Sequence, residues 1–149
     1  MISRDVLLQI ESGDALDQVY RRLAQLHRIG FNLLVTAAAP DKWLPTRGNV
    51  DSVLRHQSSI QDAMQSAGGE FDGVYYVPRS LLTQDRNRKG ALEDILKRYA
   101  VSAHEAILIS DSEPFLKAAA RMGIHSLWVS ALNSGADDLL AQLRSIEGL

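Results

Sequence analysis

The chain has 149 residues, 46% of them hydrophobic, with 16 basic and 18 acidic side chains and a formal net charge of −2. That length suits one domain, residues 1–149, with one sizeable core, and the near-balanced charge excludes a broad attraction to nucleic acid or to an anionic membrane. The lack of cysteine excludes disulfides, thiolate catalysis and cysteine-ligated zinc. No apolar run reaches the length of a membrane span and the first ten residues hold no hydrophobic signal core, so a cytoplasmic location is expected.

Val6 to Ile10 is a short apolar run suited to a buried strand that ends around Gln9 and Glu11. Gly13-Asp14 then opens a helix with Asp14 as its N-cap. Leu16, Val19, Tyr20, Leu23 and Leu26 recur at helical spacing, and Gly30 follows as the C-terminal stop. Phe31 to Thr36 reads as the second strand, and Ala37 to Gly48, which holds two prolines, as a long loop. A second helix is expected from Val50 to about Ser66, with Val53, Leu54, Ile60 and Met64 facing inward and Gly68-Gly69 ending it.

Gly73 to Val77 supplies a third strand, and Pro78 to Arg88 is a polar loop. Ala91, Leu92, Ile95, Leu96 and Tyr99 form the apolar face of the next helix. Ala106 to Ser110 is the fourth strand. Ser112 caps a helix that places Pro114 at its first position, where proline is tolerated, and Gly123 closes it. Ser126 to Val129 is a fifth strand, with Trp128 in the core, and Ala136 to Ile146 a last helix. Strands alternating with helices imply right-handed crossovers, a parallel five-stranded sheet and a three-layer αβα, Rossmann-like architecture. Ligands of such sheets bind beyond the carboxyl ends of the strands, where the winding reverses.

At those ends stand Gln9, Glu11, Thr36, Ser110 and Asp111, with the basic stretch Arg86 to Lys89 ahead of the fourth strand. A hydroxyl on strand two, cations at a helix start and an aspartate after strand four make up most of a phosphate and magnesium site. Thr36 would donate to a phosphoryl oxygen, Arg88 and Lys89 would neutralise its charge, and Asp111 would hold the metal. The four histidines, His27, His56, His104 and His125, lack ligand spacing and read as structural.

Leu34-Val35-Thr36, Thr46-Arg47-Gly48, Gly73 to Pro78, Arg88-Lys89 and Ile107 to Asp111 with Ala118 to Gly123 occur in one order and spacing. Over residues 6 to 131 they resemble the haloacid dehalogenase superfamily, in the branch of histidinol-phosphate and heptose-bisphosphate phosphatases. That resemblance implies a first strand ending in aspartate-x-aspartate, the first carboxylate forming a phosphoaspartyl intermediate and the second acting as general acid and base. The aligned pair is Gln9 and Glu11. It also implies a second acidic residue four positions after Asp111, where this chain has Phe115, and a cysteine-bearing zinc loop, which Pro78 to Arg88 does not supply.

A neutral amide cannot attack phosphorus, and loss of a covalent nucleophile commonly costs about 10⁴ to 10⁶ in turnover. Asp5 precedes the expected first strand and so falls at the wrong edge of the sheet. The expectation is therefore a catalytically impaired phosphatase homologue that serves as an interaction or regulatory domain. Its partner is a protein or a small phosphorylated metabolite, with no required cofactor and at best weak magnesium binding at Asp111. The alternative is a magnesium-dependent phosphatase that uses Glu11 and Asp111. A receiver-like domain would need a phosphorylatable aspartate at the end of strand three, where Val77-Pro78 stands.

Overall fold

In the computed structural model, which describes residues 1–10, 13–39, 47–78, 85–129 and 135–146, the first strand is not the apolar run at Val6 but the pair Ile2–Ser3 (β1). Val6, Leu7 and Leu8 belong to a short helix, Arg4–Leu8 (α1). A run of four or five apolar residues fits a buried strand and a buried helical turn equally well, because neither period has room to repeat. Tertiary packing decides for the helix: Val6 and Leu7 face the core, Leu8 is exposed, and the Gln9 amide N–H donates to the Asp5 carbonyl at 3.1 Å. Gln9 is thus the C-cap of α1, not the end of a strand.

The next helix, Asp14–Arg28 (α2), starts after Gly13, so Asp14 is its first residue and not its cap. Val19, Tyr20, Leu23 and Leu26 are buried along one stripe, as their spacing predicts. Gly30, at φ 106°, adopts the left-handed turn that ends the helix. Strand Leu34–Ala39 (β2) follows, so Thr36 is its third residue and β2 runs on into the segment expected to be loop. Helix Arg47–Ser66 (α3) begins earlier than its apolar spacing indicates. Ile60 and Met64 are buried on it, but Leu54 is 58% exposed, so the inward face belongs to its carboxyl half.

Strand Gly73–Pro78 (β3) leads to helix Asp85–Arg98 (α4), which absorbs Arg86 to Gly90 into its first turns. Strand Ile107–Ser110 (β4), helix Glu113–Arg121 (α5), strand His125–Trp128 (β5) and helix Gly135–Ser145 (α6) complete the chain. All pairings are parallel, in the order β3-β2-β1-β4-β5. Helix α2 contacts both α3 and α6, and α4 contacts α5, which gives the three-layer α/β, Rossmann-like fold expected from the sequence.

Alternation along the strands divides two cores. Ile2, Val35 and Ile109 join the α2/α3/α6 side, and Leu108 joins the α4/α5 side with Leu92, Phe115 and Leu116. The edge strand β5 leaves Trp128 56% exposed, so this residue is not core; among the described residues no further strand pairs with β5 beyond it.

Two glycines test the packing in opposite directions. A β-carbon at Gly69 would lie 2.8 Å from Ala24 Cβ and 2.9 Å from Ala24 Cα on α2, whereas one at Gly90, inside α4, would meet nothing within 4 Å. Gly69→Ala is expected to destabilise by about 1–3 kcal/mol through overpacking. Gly90→Ala is expected to stabilise by about 0.5–1 kcal/mol, because glycine is a poor residue inside a helix. Urea denaturation of the two variants checks both signs.

Candidate functional site

The order β3-β2-β1-β4-β5 reverses its winding between β1 and β4, which makes the crevice beyond these two strands the place where this architecture binds ligands. Ser3 pairs with Thr36, and Ile2 pairs with Ile109, so one further step along each strand sets Thr36, Ser3 and Ser110 side by side. The row continues to Tyr75, opposite Thr36, and to Trp128, opposite Ser110. Ser110 shares its sheet face with Leu108, so this polar row looks toward the α4/α5 layer. Thr36 and Ser110 are the buried polar residues among those described. Ser110 Oγ is engaged locally, accepting the Ser112 amide N–H at 3.1 Å and so shaping the turn that leads into α5.

The sequence-derived site residues divide into those that reach this crevice and those that do not. Gln9 does, from α1: its Nε2 donates to Asp111 Oδ2 at 3.2 Å, bridging the two sides of the switch point. Asp111 follows β4 directly and takes that bond, while Ser112 is the N-cap residue of α5. Thr36 stands in the polar row. Lys89 does not join them; it is exposed on α4 and pairs with Glu93 at 3.6 Å. Arg88 is half-buried one residue earlier on the same helix. Glu11 lies outside the described residues. Phe115, four positions after Asp111, is buried in the apolar cluster beneath α5, so a carboxylate there would sit in that core.

Residues that sequence reasoning passed over now occupy the central position. Because β1 ends at Ser3, the crevice is entered by Ser3, Arg4 and Asp5, and Asp5 stands at the carboxyl edge instead of the opposite one. Two strand residues carry no periodicity, so the signal available was Ile2 as a lone apolar residue ahead of the serine and aspartate spaced two apart. Arg4 is half-buried, and its Nε and Nη1 are both shielded from solvent without a hydrogen-bond partner among the described residues. Among the described residues no three His, Asp or Glu side chains converge as a metal-binding group.

At the β3 end of the row, Tyr75 Oη donates to Asp94 Oδ2 at 2.7 Å, and Arg98 Nε donates to the same oxygen at 3.0 Å. The Arg98 guanidinium also lies 5.4 Å from the Tyr75 ring centroid. Desolvation, with the Asp94 bond second, raises the Tyr75 pKa, and the Tyr75 bond, aided by Arg98, holds the Asp94 carboxyl below its usual range. The group ties β3 to α4 and belongs to the scaffold.

No family model matches this chain, and no curated protein matches it. Among solved structures it is similar to an uncharacterized protein from Corynebacterium glutamicum, with a TM-score of 0.59 and 12% identity over 96% of this chain and 92% of that one. At that identity the likeness shows the fold alone.

The Asp94 shift fixes the sign of a pH effect. A carboxyl whose folded pKa lies below its ordinary value of 3.8 stabilises the fold above that value and loses the contribution as pH falls through the lower folded one. Tyr75→Phe is therefore expected to lower the urea midpoint at pH 7, with the gap to the unsubstituted protein narrowing below about pH 4 as Asp94 protonates in both. Midpoints measured from pH 7 down to pH 3 check this.

Proposed function

We propose that this chain is a phosphatase-type scaffold of the haloacid dehalogenase superfamily that has lost its nucleophile and acts as a non-catalytic interaction or regulatory domain. The observation that carries the reading is the position of Ser3. The motif order of the sequence needs a carboxylate at the end of the central strand, next to the strand-two hydroxyl, and the residue paired with Thr36 is a serine. On this alignment the aspartate-x-aspartate pair of the resemblance moves from Gln9 and Glu11 to Ser3 and Asp5. The first position becomes a hydroxyl and the second keeps its acid.

A serine with no base held against it is a weak nucleophile, and no hydrogen bond from Ser3 to an activating histidine or carboxylate exists among the described residues. Two further features support loss of turnover over an atypical magnesium enzyme. Gln9 occupies an oxygen of Asp111, the carboxylate such an enzyme would use for its metal. Phe115 fills the place of the second acidic residue with buried apolar volume. The strand ends meanwhile keep buried hydroxyl residues, Thr36 and Ser110, on two strands, which suits binding without chemistry.

Purified protein with magnesium and a panel of sugar phosphates is expected to release no phosphate above the buffer rate. Turnover that disappears in Asp111→Asn would show an enzyme and overturn the reading. The corrected alignment makes a second prediction: fluoroberyllate with magnesium should label Ser3→Asp but not Gln9→Asp, as read by 19F NMR. The reverse pattern would restore Gln9 to the nucleophile position.

A further inference from the structure

We propose that the amino edge of the sheet holds a separate binding site, a cavity for one small, uncharged and largely apolar molecule of a few rings. It lies at the end of the strands opposite the switch point, and it does not rest on the phosphatase reading.

The cavity has a volume of about 380 Å³. Ile2, Leu34 and Ile107 line it from three adjacent strands, Leu26 and Leu143 from α2 and α6, and Ile95 from α4, so it opens where the two helical layers meet below the sheet. Ile29, 62% exposed, and the exposed Asn32 and Ala100 mark its mouth. Protein interiors rarely keep a void much larger than a water molecule. This one is more than twice the roughly 150 Å³ of an apolar cavity that takes up benzene, and it falls within the range of about 300–1,000 Å³ typical of ligand pockets. Apolar walls give water few partners, so an apolar guest that displaces it gains free energy.

The aromatic ring of the lining does not take up the space. A β-carbon at Gly73 would come within 2.6 Å of the Tyr99 hydroxyl, so the glycine gives Tyr99 room to lie against the start of β3, and the cavity persists beside it.

Charge selects the class of guest. Among the described residues no Lys, Arg or His side chain lines the cavity, and Glu105 is its one acidic side chain. The Ser102 hydroxyl and the Ser102 amide N–H, the latter at 3.1 Å, donate to the Glu105 carboxylate and hold its pKa below the usual range. Met1 lines the cavity as well, but burial lowers the pKa of its amino group to about 6, which leaves that group mostly neutral at pH 7. An anion would therefore meet a carboxylate and no opposing cation. A cation would compete with Ser102 for the one carboxylate. An uncharged molecule pays neither cost.

N-phenyl-1-naphthylamine, an uncharged dye that brightens in apolar surroundings, is the probe at pH 7. Its fluorescence is expected to saturate at one dye per chain, and the melting temperature to rise with it, as for any ligand of the native state. The anionic 1-anilinonaphthalene-8-sulfonate carries the same rings and is expected to bind at least tenfold more weakly. In the unsubstituted protein the bound dye should shift the methyl resonances of Leu26, Ile95 and Ile107 and leave those of Leu54, an exposed leucine outside the lining, in place. Val101→Trp, which adds bulk at a half-buried lining residue, is expected to weaken dye binding tenfold or more.

Fluorescence that rises without saturating would overturn the inference, as would equal affinity for the sulfonate or methyl shifts at Leu54 in place of the three lining residues. A folded Val101→Trp that binds the dye as the parent does would overturn it too. Should that variant not fold, the methyl shifts of the unsubstituted protein decide.

Discussion

The structure depends on how a two-residue strand is held in the middle of its sheet. β1 lies between β2 and β4, and the Met1 carbonyl accepts the Ile109 amide N–H at 2.9 Å while the Met1 amino group donates to the Ile107 carbonyl at 2.8 Å. Ile2, 3% exposed, anchors the strand in the α2/α3/α6 core. With so few residues there is one workable register, because a slip by one would turn Ile2 out of the core and Ser3 into it. That register places Ser3 beside Thr36, and every feature of the crevice follows from it.

The consequence for chemistry is a redistribution of charge. In a metal-dependent phosphatase the strand ends gather carboxylates around a cation. Here the corresponding edge has a row of hydroxyls, one carboxylate tied to an amide, and an arginine with unmet donors. Among the described residues no base is held against Ser3, and this arrangement is what the proposal of a binding domain without turnover rests on.

Much of the fold was legible in the amino-acid order, because long segments repeat their period. Val19, Tyr20, Leu23 and Leu26 mark one face of α2 over several turns, and Ala91, Leu92 and Ile95 do the same on α4. Where a segment was short or lay at an edge, the pattern misled. The apolar run at Val6 has too few residues to separate a strand from a helical turn. Trp128 looks like a core residue until the strand order puts β5 at the rim. Lys89 looks like a phosphate ligand until α4 extends back to Asp85 and pairs it with Glu93.

By itself the sequence determined the class of architecture, the helix faces and the scarcity of acidic groups at the strand ends, since these depend on composition and on periods that local chemistry enforces. Tertiary structure alone decided which residue ends the central strand, and with it the exchange of Gln9 for Ser3 and the move of Asp5 and Arg4 to the carboxyl edge. The physical reason is that a two-residue strand has no period of its own. Its identity comes from parallel pairing with Val35 and Ile109, residues far away in the chain, and from one isoleucine that only the assembled core can bury.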